Sequence, residues 1–196
     1  MPFDELNVLN GRNILTIPQF FHGLGLPRDK ERERVDLARE IESVMLFIFA
    51  YMASGGANPA GLLAEKYSEV VRKYIEIDIT LDLYIRWMSE QIVNADVDDE
   101  YKLSDERAMV IGENEAHSVM NYEEYSEAVR TGKTTKVWMT QMDNRVRGTH
   151  RLALGQEVPI NEPFKVGDSL LMYPRDYSLG ASPEEIVNCR CWATYR

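Results

Sequence analysis

Cysteine is scarce in this chain: there are two in 196 residues, Cys189 and Cys191, with one residue between them. That excludes a disulfide framework, and joining thiols this close would form a strained ring. Histidine is nearly as rare, at three. Long apolar runs are missing too. The longest, Ile41–Ala53, is interrupted by Glu42 and Ser43 and falls short of the roughly 18–20 residues of a membrane span. Positive charge is in deficit, with 22 Lys and Arg against 32 Asp and Glu. Residues 1–132 carry 13 basic and 25 acidic side chains, net −12, whereas residues 133–196 carry 9 and 7, net +2. An acidic N-terminal two-thirds argues against wrapping nucleic acid, because phosphate neutralisation needs clustered Lys and Arg. The mildly basic remainder allows a local, transient DNA contact. The N-terminus is acidic and has no apolar signal core, so the expectation is the cytosol or a particle assembled there, with no membrane partner.

What is present falls into three stretches. Residues 1–29 read as an irregular arm punctuated by Pro18, Gly23, Gly25 and Pro27, with Phe20 and Phe21 as apolar anchors and His22 in a loop. Residues 30–100 read as helical. Asp29 can cap a helix that is charged in its first half and apolar in its second. Ser54–Gly61 breaks it, and a second helix is expected from Leu62 to about Ile75. Tyr74–Met88 is ambiguous between periods of two and 3.6; the reading taken is a break near Asp78 or Ile79 and a helix on to about Asn94. Ala95–Glu106 is an acidic linker and the expected domain boundary; it lacks the central glycine of a calcium loop. Residues 101–196 then form a module. Ser104 caps a long helix that Gly132 ends. Glu115 lies near that helix's buried stripe and needs a partner, for which an arginine of the module is the candidate. His117 falls on another face, towards solvent. The fold class is therefore α+β: an N-terminal helical region, then a compact module of one long helix, a short helix and a small antiparallel sheet.

The rare residue types gather at the two ends of Lys136–Cys191. Trp138, Asp143, Arg145, Arg147 and His150 stand at one end, and Asn188, Cys189, Arg190, Cys191 and Trp192 at the other. Val137–Thr140 reads as a strand, Asp143 as the cap of a helix from Asn144 to about Leu154, and Ile186–Trp192 as a closing strand. On a helix, Asp143, Arg147 and His150 share a face. In a strand, Cys189 and Cys191 point to one side and Arg190 to the other, towards solvent, a partner or DNA. If helix and strand meet, His150, Cys189 and Cys191 could bind zinc, with Asp143 as a fourth ligand. The metal-free alternative packs His150 and both thiols in the interior and pairs Arg147 with Glu115 or Glu184. A third reading makes His150 the general acid or base of a nuclease, or of a toxin-like enzyme.

The frame of these residues resembles the C-terminal domain of phage minor head proteins, the family of the F protein of phage Mu. It runs from Trp138 through Asp143, Arg145-Val146-Arg147, His150 and Gly155. Phe164, Gly167, Tyr173-Pro174, the loop 181–185 and Asn188-Cys189-Arg190-Cys191 follow. Arg107-Ala108, Glu115 and Asn121 of the preceding helix also fit, so the likeness covers about 107–191. Where family members often read Ala-Arg-Thr-Glu, this chain has Gly112-Glu113-Asn114-Glu115. The resemblance implies a virion protein of a tailed phage, assembled in the host cytoplasm. Such a protein associates with the portal or major capsid protein and is linked to DNA packaging or ejection. In some relatives the domain is fused to toxin or enzymatic domains. On this reading the cluster Glu115, Trp138, Asp143, Arg145, Arg147, His150, Asn188 and Arg190 is structural, and the acidic helices make the portal contact.

Overall fold

The computed structural model describes residues 15–22 and 24–196; the first 14 residues of the expected N-terminal arm lie outside them. The architecture is α+β. A short helix α1 (Ile17–Phe21) is followed by α2 (Arg28–Ala53), α3 (Pro59–Val71) and α4 (Ile79–Val93). A single turn α5 (Asp99–Lys102) then leads into the long α6 (Asp105–Arg130). Among the described residues no helix is long and apolar enough to cross a membrane.

Local chemistry sets these boundaries. In α2, Asp29 and Glu31 lie in the first turn, where acids complement the helix dipole. Leu37, Ile41, Met45 and Ile48 recur at helical spacing on its buried face. Asn58 adopts a left-handed conformation, and its side chain accepts from the Gly61 N–H, with Pro59 at the first helical position of α3. The ambiguous run at 74–88 resolves at Asp78, whose Oδ1 caps α4 by accepting from the Leu81 N–H at 2.8 Å. The alternation of Ile75, Ile77 and Ile79 therefore crosses a helix start and is not a strand. Ser104 accepts from the Arg107 N–H and opens α6, and Gly132, at φ 74, closes it.

Strand β1 (Thr135–Met139) is central in an antiparallel sheet of order β2-β1-β5, with β2 at Glu157–Pro159 and β5 at Trp192–Tyr195. Trp138 faces Ala193, and Met139 faces Trp192. A separate hairpin pairs β3 (Phe164–Val166) with β4 (Ser169–Leu171) through Gly167 and Asp168. Two short helices complete the module: α7 (Gly148–Ala153) and α8 (Pro183–Ile186).

The described residues fall into two compact units. One holds 15–20 and 32–116; the other holds 21–22, 24–31 and 117–196. In the second, Trp138, Phe164, Val166, Leu171 and Ile186 form a core with Cys189 and Cys191 among them.

Candidate functional site

The chemistry-bearing residues of the second unit converge on His150. It sits in the middle of α7, 2% exposed. Its Nδ1 faces Cys191 Sγ at 3.2 Å and Cys189 Sγ at 3.5 Å. Its Nε2 lies 2.8 Å from Glu185 Oε2, and the same oxygen accepts from the Thr149 hydroxyl at 2.8 Å. A carboxylate on Nε2 fixes the ring's orientation and leaves Nδ1 turned to the sulfurs. Trp138 packs edge-on against the imidazole, 5.9 Å between ring centres, and against Phe164 on another side.

The cysteines reach this point by a different route from the one their spacing suggests. The segment is not a closing strand. Pro183 starts helix α8, Asn188 turns left-handed at φ 55, and β5 begins only at Trp192. Asparagine tolerates that conformation at little cost, and the turn brings both thiols inward. The Cys191 N–H donates to Cys189 Sγ at 3.4 Å, and the Cys191 thiol contacts the Thr140 hydroxyl at 3.2 Å. The Cys191 carbonyl accepts from Asn121 at 3.2 Å and lies 2.8 Å from His117 Nε2. His117 is fully buried, not solvent-facing, because this stretch of α6 is buried on every side.

Asp143 stands apart from this group. It caps no helix: α7 starts at Gly148, with extended Arg147 before it. Asp143 accepts instead from the Arg145 N–H at 2.9 Å and from the Arg190 guanidinium at 2.6 Å. Burial raises the Asp143 carboxyl, but the hydrogen bonds and charges of Arg190 and Arg145 together outweigh it, and the group stays below its ordinary value. Arg190 thus turns back onto the module, donating also to Gln141 at 2.5 Å, and is not open to solvent. Arg147 donates to the Val187 carbonyl, and the Arg145 side chain is exposed. Glu115, in the first unit, accepts from the Tyr67 hydroxyl at 3.0 Å and the Tyr84 hydroxyl at 2.8 Å.

Electrostatically the group is a coupled set. Burial disfavours charge on His150, but the Cys189 sulfur facing it prevails and raises the imidazole above its ordinary value. Burial alone would raise the Cys189 thiol; the hydrogen bond with Cys191 and the charge of His150 bring it well below. Cys191 moves up, through burial and its neighbour's charge. The arrangement supports a thiolate–imidazolium pair or a soft-metal donor set. His150, Cys189 and Cys191 each offer one donor atom, all within 4.8 Å of one another.

A family model described as "Phage Mu protein F like protein" matches residues 81–194, more than half of the chain. The chain belongs to the phage Mu protein F like family. Membership makes it one of a family of phage head proteins. The chain is also similar to the NAD(+)–arginine ADP-ribosyltransferase EFV of Enterococcus faecalis, with 31% identity over 99 residues. That match covers 48% of this chain but only 20% of the transferase. No solved structure matches the chain significantly.

Two residues that organise the F-like site, Glu185 and Arg175, escape a reading of spacing alone. Glu185 lies in the single-turn helix α8, with only its charge to mark it. Arg175 is 1% exposed and adopts a left-handed backbone, φ 71. Its guanidinium donates to Ser118 Oγ at 2.8 Å and to the carbonyls of Ile186 at 2.9 Å and Cys189 at 3.5 Å. It therefore ties α6 to both ends of the segment that carries the cysteines. The signal available was its place directly after Tyr173-Pro174, where a turn forces the chain to change direction.

Proposed function

We propose that this protein is a minor structural component of a tailed-phage head. In this reading it sits against the portal or the major capsid protein and acts in assembly, DNA packaging or ejection. The observation that carries the reading is the family match over 81–194, which includes every residue of the His150 site. The burial of that site supports a structural role. His150 and both cysteines are at most 2% exposed, and both imidazole nitrogens face protein atoms. A nuclease needs its general acid or base within hydrogen-bond reach of a substrate, and this ring offers no such approach. The transferase activity in the name of the E. faecalis relative belongs to a protein of which the matched stretch is a fifth.

For the partner-facing surface we choose α4. Ile79, Leu83 and Trp87 recur every four residues and are 72%, 59% and 41% exposed, an apolar row along one helix. The acidic balance of residues 1–132 suits a basic portal surface and not DNA. The test is co-sedimentation of the purified protein with the portal of its own phage, together with mass spectrometry of purified virions. Binding to the portal, and its loss in Leu83→Asp without a change in melting temperature, is the expected result. Absence from purified virions and no portal binding would overturn the assignment. RNA or single-stranded DNA cleaved by the wild type but not by His150→Ala would favour the nuclease instead.

A further inference from the structure

We propose that His150, Cys189 and Cys191 form a buried structural zinc site, with Glu185 orienting the histidine. Three independent features of the geometry point there. The first is distance. Zinc bonds of about 2.0–2.1 Å to nitrogen and about 2.3 Å to sulfur, at a tetrahedral angle, separate an N–S donor pair by roughly 3.5 Å. His150 Nδ1 lies 3.2 Å from Cys191 Sγ and 3.5 Å from Cys189 Sγ, so an ion enters with shifts of a few tenths of an ångström.

The second feature is the outer shell. A histidine that binds a metal through one ring nitrogen typically donates the other N–H to a carboxylate. Glu185 Oε2, 2.8 Å from Nε2, is that carboxylate, and the Thr149 hydroxyl holds it in place. The Cys191 N–H donated to Cys189 Sγ is the same kind of support for a thiolate ligand. The third feature is the Trp138 indole N–H. It is fully buried in this core and directed at the Cys191 sulfur. A buried donor beside the sulfurs is suited to thiolates carrying full negative charge.

The donor chemistry selects the ion. One imidazole and two thiolates are a soft set that favours zinc over magnesium or calcium. Among the described residues no fourth His, Cys, Asp or Glu joins the group, since Asp143 is held by Arg190. The fourth position would be water's, beside the Thr140 hydroxyl. Binding releases two protons from the His150, Cys189 and Cys191 group and leaves a neutral imidazole and two thiolates as ligands, so the ion and its three protein ligands carry no net charge. The ion would join α7 to the segment entering β5, two elements that no strand pairing connects directly.

The test uses the full chain, expressed and purified without chelator and with thiols kept reduced. Elemental analysis is expected to give about one equivalent of zinc, and a chelator to lower the melting midpoint by on the order of 10 °C. Cobalt(II) in place of zinc is expected to give intense visible bands and a near-ultraviolet thiolate charge-transfer band. This readout needs no variant and survives if His150→Ala fails to fold. Glu185→Gln is expected to weaken zinc affinity by about 10–100-fold while keeping the cobalt spectrum, and Asp143→Asn to leave affinity unchanged. Less than about a tenth of an equivalent, with no uptake of added zinc or cobalt by the reduced protein, overturns the proposal. So does full zinc retention in a folded Cys189→Ser, Cys191→Ser double variant.

Discussion

Helix α6 carries buried polar side chains in both compact units, and its two halves treat them differently. In the second unit, His117, Ser118 and Asn121 engage the Cys191 carbonyl, the Arg175 guanidinium and the Pro174 and Cys191 carbonyls. Even Lys136, buried and with its amine brought down to about 8 by burial, donates to the Met172 carbonyl and sits over the rings of Tyr125 and Phe164. In the first unit, Glu115 is satisfied by two tyrosines, but Glu113 Oε1 is buried with no hydrogen-bond partner. Burial, and secondarily the charge of Glu42, raises the Glu113 carboxyl from 4.5 to about 8. A satisfied buried network fixes one geometry, whereas an unsatisfied buried acid makes stability depend on pH. The second unit is built for rigidity; the first carries a titrating weak point and an exposed apolar row.

The sharpest way to break this contrast is at Arg175. Arg175→Met keeps the volume but strips donors from Ser118 and from two buried carbonyls. Each buried acceptor left unpaired costs about 1–3 kcal/mol, so a loss of roughly 3–5 kcal/mol is expected. Urea unfolding measures it directly. A loss under about 1 kcal/mol would mean that the network is replaceable by packing and that the second unit owes its order to the apolar core.

Glu113 tests the other half. Its carboxyl ionises near 4.5 when unfolded and near 8 when folded, so the folded state holds the proton more tightly. The buried acid therefore costs nothing below about 4.5, and its cost grows as pH rises towards 8. Glu113→Gln removes the titration. The variant is expected to be more stable than wild type at pH 8 by a few kcal/mol, at about 1.4 kcal/mol per tenfold change in proton affinity. The gain should vanish near pH 4.5. Parallel stability curves for the two proteins from pH 5 to 8 would show that the first unit has no such weak point.

The second unit was the more legible of the two in sequence. The frame from Trp138 to Cys191 carries residue types rare enough to mark the family, and the end of α6 at Gly132 follows from elementary preferences. Two expectations fail for one cause, the assumption of regular structure through an irregular segment, and a third for another. Asp143 reads as a cap, although the helix begins five residues later, at Gly148. Ile186–Trp192 reads as a strand, although α8 occupies its start and Asn188 turns left-handed. His117 reads as outward-facing, although the stretch of α6 around it is buried all round. Periodicity reports a helix's faces only when one of them meets water. The pairing of His150 with Glu185 depends on a tertiary approach that no local pattern encodes.

The smallest effect concerns the residue beside Glu113 and sets two known magnitudes against each other. Gly112 lies inside α6, where replacing glycine by alanine ordinarily stabilises by about 1 kcal/mol. A Cβ built there would stand 2.6 Å from the Ala38 carbonyl oxygen and 3.3 Å from Glu42 Cβ, both on α2. The nearest obstacle is backbone, which cannot rotate away, so α2 and α6 would have to separate. Forced overpacking of this kind costs about 1–3 kcal/mol. The steric cost exceeds the propensity gain, and Gly112→Ala is expected to lower stability by about 1 kcal/mol in urea unfolding. The displacement would also move Glu42, the second contributor to the raised Glu113 carboxyl, so the slope of stability against pH should flatten with it. A stabilised Gly112→Ala would mean that the two helices are not held this close. It would also mean that the burial of Glu113 is looser than the rigid network around Arg175.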